Sequence, residues 1–163
     1  MAHGPRTRTC VECGREYRHG RYGAYCSSRC EREAGVKSAA RCEAARAVVG
    51  AALGLELREV RLDRVGGESY VRFAHTLPVD EAARAEAVTA IAAGLTEEPV
   101  GAREPAPRRQ RGPRPEDHLA ARLLNEHRRL IDEAAELILG APEGDDLAEE
   151  LTELFRVRGQ RAG

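Results

Sequence analysis

Helical and strand spacings of apolar residues divide much of the chain into a middle part and a C-terminal part. Residues 28–53 carry alanine, valine and leucine at mixed spacings of three and four, which predicts a helix. Residues 58–65 and 69–77 predict two strands, joined by two glycines that permit the positive φ angles of a tight hairpin turn. Asp80 then predicts the N-cap of a second helix. The middle of the chain is therefore expected to be a small helix-hairpin-helix unit.

The C-terminal part shows only the helical spacing. Residues 116–138 predict a long helix with one side rich in leucine and isoleucine, and a Gly-Ala-Pro-Glu-Gly stretch ends the pattern. Asp146, followed three residues later by Glu149, resembles a capping box that opens another helix. The inward residues of that helix are predicted to be Leu147, Leu151, Leu154 and Phe155. This helical hairpin has a small core, so it could dock on the middle unit or on a second copy of the chain.

Charge is segregated along the chain although the formal net charge is only −1. Residues 1–46 carry +5 and residues 103–114 carry +4, whereas residues 47–102 carry −4 and residues 115–163 carry −6. Of these segments, only the two basic ones could bind nucleic acid, and the second of them could instead be a solvated linker. No stretch approaches the roughly 20 apolar residues of a spanning helix, so we expect a soluble, cytoplasmic protein without a membrane partner. Abundant arginine and alanine with a single lysine indicate a bacterial or phage origin.

Four of the five cysteines fall into two close pairs, Cys10 with Cys13 and Cys26 with Cys30. Each pair can supply two thiolates to one tetrahedral ion, so this spacing predicts a structural Zn²⁺ site. An iron–sulfur cluster or four unligated thiols are the alternatives. Cys42 lies outside the two pairs on a predicted helix, where a small buried side chain is the expected role.

The segment around these pairs resembles the treble-clef zinc fingers. The resemblance rests on Cys-Val-Glu-Cys-Gly, the aromatic Tyr17 and Tyr-Cys-Ser-Ser-Arg-Cys, and it covers residues 9–34. It implies a structural metal, a hairpin between Cys13 and Cys26, and a helix beginning near Ser28. Members of this group bind DNA, RNA or protein, so the resemblance implies a fold more narrowly than a function.

The domain prediction combines these patterns into an α+β, mostly helical protein. A stretch over residues 103–115 contains four prolines and five arginines and no large apolar residue, so it predicts a linker. The predicted parts are a zinc finger over 1–34, a small α+β unit over 35–100, an Arg/Pro-rich linker over 101–115 and a helical hairpin over 116–163.

Catalysis is not expected from this sequence. Four thiolates close the coordination sphere of a zinc ion, whereas a catalytic zinc keeps an open position for water. Nucleases built on the treble clef add a second metal site, for which His19 is the only candidate ligand inside the finger. Phosphate-loop, serine-hydrolase and HExxH motifs do not occur.

Two functions compete. In the first, the finger binds DNA or RNA as a regulatory or accessory factor. Arginine can contact phosphates and base edges, and the predicted contacts are Arg15, Arg18, Arg21 and Arg29. Three tyrosines between the cysteine pairs could stack on unpaired bases, or Tyr17 and Tyr25 could instead form the small core of the finger. In the second, the finger and the acidic C-terminal hairpin form a protein-interaction adaptor, whose C-terminal helices bind a protein partner or a second copy of the chain. Phosphate binding should weaken steeply with salt, whereas an apolar helix interface should not.

Overall fold

The structure is a computed structural model that describes residues 7–18, 23–65, 69–74 and 115–159. Within those residues the fold is α+β and mostly helical, with four helices and two antiparallel strand pairs. The elements in chain order are β1 (Thr7–Thr9), β2 (Glu16–Arg18), α1 (Ser28–Ala52), β3 (Leu57–Arg61), β4 (Tyr70–Phe73), α2 (Pro115–Glu126), α3 (Arg128–Gly140) and α4 (Ala148–Gly159). The chain divides into two compact units, Met1–Lys37 and Ser38–Gly163.

The core of the second unit is built from alanine and aliphatic side chains. Residues 42–45 and 47–50 of α1 are buried on every side, as expected for a helix that is small and apolar around its circumference. The largest fully buried side chains of this unit come from the four elements α1, β3, α3 and α4: Val48, Val49, Val60, Ile131, Ile138 and Leu151. Cys42 is buried as well, which confirms the small apolar role predicted for it.

Strands β3 and β4 confirm the predicted strand pair, although each strand is shorter than the pattern indicated. Val60 pairs with Val71 and Leu57 pairs with Phe73, and a register shift lies between Leu57 and Glu59. At the end of α1, Gly50 lies under the Phe73 ring. A Cβ added to Gly50 would lie 2.2 Å from Phe73 Cζ, so only glycine fits this approach of helix and strand.

The C-terminal helices pack on β3 of the same chain. The carboxylate of Asp146 accepts hydrogen bonds from the Ala148 amide and from the Val60 amide, both at 3.1 Å. The Leu147 amide donates to the Val60 carbonyl at 3.1 Å. Asp146 therefore caps α4, as predicted, and also occupies the free edge of β3. The reciprocal Glu149 bond of a capping box is not among the hydrogen bonds of the described residues.

An arginine closes the end of α3. Arg64 donates to the carbonyls of Leu139 at 2.6 Å and Ala141 at 2.8 Å, groups that the helix itself leaves without partners. Arg64 follows β3, so this contact is a second tie between the strand pair and the C-terminal helices.

A buried ion pair lies inside α1. Glu43 is 3% exposed and its carboxylate accepts a hydrogen bond from Arg46 at 2.6 Å. Glu43 Oε2 and Arg46 Nε have no hydrogen-bond partner among the described residues. Burial raises the pKa of the Glu43 carboxyl, and the neighbouring Arg46 only partly offsets this effect.

The prediction of one long helix over residues 116–138 is wrong in one respect. His127 has φ −108° and ψ 14°, which separates α2 from α3, while amide bonds to residues four positions back continue on both sides of it. Residues 66–68 between β3 and β4, the helix predicted from Asp80, and all of the linker predicted over 101–115 except Pro115, where α2 begins, lie outside the described residues.

Candidate metal centre

The first cysteine pair lies in a tight turn between β1 and β2. The Cys10 amide donates to the Arg15 carbonyl at 2.8 Å, and the Gly14 amide donates to the Cys10 carbonyl at 2.9 Å. Gly14 has φ +71°, a conformation that strains any residue with a Cβ. The glycine directly after Cys13 therefore lets the chain curl so that both thiols face the same side.

The second pair is positioned by the start of α1. Cys26 precedes the helix and Cys30 lies in its first turn. The Ser27 hydroxyl accepts a hydrogen bond from the Cys30 amide at 3.3 Å. The Ser27 side chain therefore caps α1, and the start of α1 at Ser28 agrees with the helix start that the treble-clef resemblance implies.

Contacts within the N-terminal unit bring the two cysteine pairs together. The Val11 amide donates to the Ala24 carbonyl at 3.2 Å, and the Tyr17 hydroxyl donates to the Gly23 carbonyl. An ion pair joins Lys37 of α1 to Glu12 between the first two cysteines. Because Tyr17 is half-buried and hydrogen-bonded, it contributes to the internal structure of the N-terminal unit.

The sulfur atoms of Cys10, Cys13, Cys26 and Cys30 all lie within 4.8 Å of one another. The Cys26 sulfur is 3.5 Å from those of Cys13 and Cys30. A tetrahedral ion with metal–sulfur bonds of about 2.3 Å requires sulfur–sulfur separations of about 3.8 Å. The observed spacing brackets that value, so these residues could hold one metal ion between them.

Two thiols of the cluster, Cys10 and Cys26, have pKa values shifted in opposite directions. Burial alone would raise the pKa of the Cys10 thiol, but hydrogen bonds from backbone amides, chiefly those of Cys13 and Cys26, lower it to about 6. One of these bonds joins the Cys26 amide to Cys10 Sγ at 3.4 Å. Hydrogen bonds with the Cys13 and Cys30 thiols, followed by burial, raise the pKa of Cys26 to about 12. Four neighbouring thiolates need a cation to coexist.

The cluster is shielded on one side. Cys10 is 1% exposed and Cys30 is 7% exposed, whereas Cys26 is half-buried and Cys13 is exposed. Four protein sulfurs would fill the coordination sphere of a bound ion and leave no position for a water ligand.

Three of the four predicted nucleic-acid contacts lie within five residues of a cysteine of the cluster. Arg15 follows the turn of the first pair, Arg18 ends β2, and Arg29 lies in the first turn of α1; all three are exposed. Arg29 forms an ion pair with Glu33 at 2.7 Å. Arg21 and His19 lie outside the described residues.

The structure adds a strand that the sequence patterns did not predict. β1 pairs with β2 so that Thr7 faces Arg18, Arg8 faces Tyr17 and Thr9 faces Glu16. The hairpin therefore flanks the first cysteine pair, whereas the treble-clef resemblance implies one between Cys13 and Cys26. The only local signal for β1 is Thr-Arg-Thr, too short to be recognised by its period. The pairing brings Arg8 onto the same ribbon as Arg18.

Comparison of the chain with protein-family models, with curated proteins and with solved structures finds no match. An inference about function therefore depends on the geometry and charge of the described residues. Over that part of the chain, no helix has both the length and the apolar character required to cross a membrane.

Proposed function

We propose that the N-terminal unit is a structural zinc finger and that the protein is a non-enzymatic factor that binds DNA or RNA. The observation that carries this proposal is the set of exposed arginines around the cysteine cluster. Arg8, Arg15 and Arg18 form no salt bridge with any residue in the described part of the chain. Cations without an internal partner are free to neutralise phosphates.

Zinc is favoured over the other metals by the donor set and the spacing. Four thiolates suit Zn²⁺, which prefers soft ligands in a tetrahedron and takes no part in redox chemistry. In an iron–sulfur cluster the cysteine ligands bind different iron atoms, so their sulfur atoms lie farther apart than sulfur atoms that share one metal ion. The four sulfur atoms here all lie within 4.8 Å of one another, which fits a single ion better. A mononuclear site closed by four sulfurs also supports a structural role over a catalytic one.

Charge remains favourable after the metal is bound. Four thiolates and one Zn²⁺ contribute about −2, so the net charge of residues 1–46 falls from +5 to about +3. The adaptor alternative would need an exposed apolar surface on the C-terminal helices. Ile131, Ile138 and Leu151 of α3 and α4 are buried within their own unit, and the other large aliphatic side chains of these two helices are half-buried, so none of them is fully exposed. This distribution supports nucleic acid as the first candidate partner.

The test begins with the metal content of the purified protein, for which one zinc per chain is expected by native mass spectrometry. Fluorescence anisotropy with labelled duplex DNA and single-stranded RNA then measures affinity between about 0.05 and 0.2 M salt. The variant is Arg15→Gln/Arg18→Gln. The matched control is Arg122→Gln/Arg129→Gln, which removes the same charge from exposed positions of α2 and α3.

If Arg15 and Arg18 each contact one phosphate, the first variant should lower the slope of log affinity against log salt by about 1.8. The control should leave the slope nearly unchanged. Absence of binding to either nucleic acid at the lowest salt, or equal losses in the two double variants, would refute the proposal. Concentration-dependent self-association without nucleic-acid binding would point to the adaptor instead.

A further inference from the structure

The β1–β2 ribbon, formed by Thr7–Thr9 and Glu16–Arg18, is exposed on both faces. Every residue of β1 is exposed, as are Glu16 and Arg18, and only Tyr17 is half-buried. An isolated two-stranded ribbon is marginally stable in water, so something other than packing must hold it. Here the turn at its end contains Cys10 and Cys13, and the metal cluster would anchor that end. The ribbon thus has a fixed base and two accessible faces.

The strand register distributes cations to both faces. Residues directly opposite each other in an antiparallel pair lie on the same face, and neighbours along a strand lie on opposite faces. Arg8 therefore shares one face with Tyr17, while Arg18 shares the other face with Thr7. Neither arginine forms a salt bridge in the described part of the chain. A single flat phosphate surface would need both cations on one face, whereas phosphates on two sides match this arrangement.

We propose that the β1–β2 ribbon lies in the major groove of B-form duplex DNA, with Arg8 and Arg18 contacting the phosphates of the two walls. This inference rests on the proposed nucleic-acid function and specifies its ligand. The major groove is about 12 Å wide and admits a two-stranded ribbon, whereas the minor groove is about 6 Å wide. Strands lie about 4.8 Å apart, so the ribbon with its side chains fills the wider groove.

The state of Tyr17 argues against single strands as the ligand. Recognition of unpaired bases generally uses aromatic rings that are free to stack. The Tyr17 ring lies half-buried on the ribbon, and its hydroxyl donates to the Gly23 carbonyl. Tyr25 is also half-buried. Exposed arginines and threonines on the ribbon suit phosphates and base edges in a duplex better than they suit stacking.

One acidic side chain on the ribbon provides a test of opposite sign. Glu16 is exposed, lies two residues from Arg18 on the same face, and has no salt bridge within the described residues. Duplex phosphates should repel Glu16, so Glu16→Gln should strengthen binding. Arg18→Gln at the neighbouring position of the same strand should weaken it. A ribbon with only a structural role would give neither change.

The experiment uses the full-length, zinc-loaded protein with a duplex DNA, a duplex RNA of the same sequence and the single DNA strand. The duplex RNA is the sharpest comparison, because its major groove is deep and too narrow for a ribbon. We expect the DNA duplex to bind most tightly. Arg8→Gln and Arg18→Gln should each reduce its affinity about eightfold at about 0.1 M salt and lower the salt slope by about 0.9.

Methylation of guanine N7 gives a readout that needs no protein variant, because it places a methyl group and a charge in the major groove. Treated duplexes should be bound poorly. Three results would each overturn the ribbon inference: equal binding of the DNA duplex and the RNA duplex, stronger binding of the single strand, or binding that N7 methylation does not change. In each of these cases, salt-sensitive binding would still support the proposed function. Failure of all three nucleic acids to bind would refute both. The zinc content of each variant is also measured. A variant that keeps its zinc but binds DNA weakly has lost contacts with DNA, whereas a variant that has lost its zinc has lost its fold.

Discussion

The close approach of α1 to β4 makes Gly50→Ala the most quantitative perturbation that the second unit offers. An alanine Cβ at this position would lie 2.2 Å from Phe73 Cζ and 2.4 Å from Phe73 Cε1. Carbon atoms in favourable contact lie about 3.5 to 4.0 Å apart, so the ring or the helix must move by more than about 1 Å. The Phe73 ring is half-buried, and moving it outward would expose apolar surface that now covers the helix.

Two effects of opposite sign determine the result. Replacing a helical glycine by alanine stabilises a helix by about 1 kcal/mol, because alanine loses less backbone entropy. Overpacking a well-filled site costs about 1 to 3 kcal/mol. We therefore expect Gly50→Ala to lower the free energy of unfolding by about 1 kcal/mol, equivalent to a decrease in Tm of about 3 °C for a chain of this length.

Gly140→Ala is the matched control, because Gly140 ends α3 in the same unit and a Cβ there meets no atom within 4 Å. It should leave stability unchanged or raise it slightly. Urea denaturation followed by far-UV circular dichroism measures both variants. In a Phe73→Leu background the ring is absent, so Gly50→Ala should become neutral or stabilising. A Gly50→Ala protein at least as stable as Gly140→Ala would show that α1 and the strand pair do not approach as described.

Three further perturbations test other parts of the chain. Cys13→Ser should lose the bound zinc and unfold the N-terminal unit, since structural zinc contributes on the order of 10 kcal/mol to such folds. The control Cys42→Ser should retain the zinc. Tightly bound zinc in Cys13→Ser, measured by native mass spectrometry, would disprove the ligand assignment. Asp146→Ala removes the acceptor of two backbone amides and should lower the free energy of unfolding, measured by urea denaturation, by about 2 kcal/mol. The control Asp145→Ala, at an exposed position, should lower it by less than about 0.5 kcal/mol. Equal losses in the two variants would contradict the bridging role of Asp146. The raised pKa of Glu43 means that the native state binds the Glu43 proton more tightly than the unfolded chain does. The stability that this proton contributes is therefore fully present below about pH 4.5 and is lost as pH rises through the raised pKa. The stability of the natural protein relative to Glu43→Gln should then fall by up to about 1.4 kcal/mol per pH unit, and a difference that does not vary with pH would refute this.

Sequence reasoning succeeded where a local pattern carried the information. The helix predicted over 28–53 is confirmed as Ser28–Ala52 because its small and apolar residues recur over seven turns. The predicted strands are confirmed because alternation and a glycine pair mark them. The cysteine spacing likewise indicated which four side chains would meet, since each pair is held by a single turn of backbone. These features depend on residues close together in the chain.

The features that were missed depend on tertiary contacts. β1 has three residues, and only its pairing with β2 identifies it as a strand. A charged residue such as Glu43 is usually expected at a solvated position of a helix. Glu43 is nevertheless 3% exposed, because the residues around it on α1 are buried as well. The second bond of Asp146, to the Val60 amide, joins positions 86 residues apart. A period of 3.6 or 2 residues contains no information about such partners.

The predicted nucleic-acid residues differ in whether an acidic side chain already pairs with them. Arg29 is held by Glu33 at 2.7 Å, with side chains 82% and 46% exposed, whereas Arg18 has no salt bridge in the described part of the chain. An exposed ion pair of this kind is worth at most about 1 kcal/mol, but a phosphate must displace Glu33 before it gains the full contact with Arg29. Arg29→Gln should therefore weaken binding less than Arg18→Gln does, and Glu33→Gln should strengthen it by releasing Arg29. If Arg29→Gln proved the more damaging change in anisotropy titrations, the start of α1, and not the ribbon, would be the principal contact with phosphate.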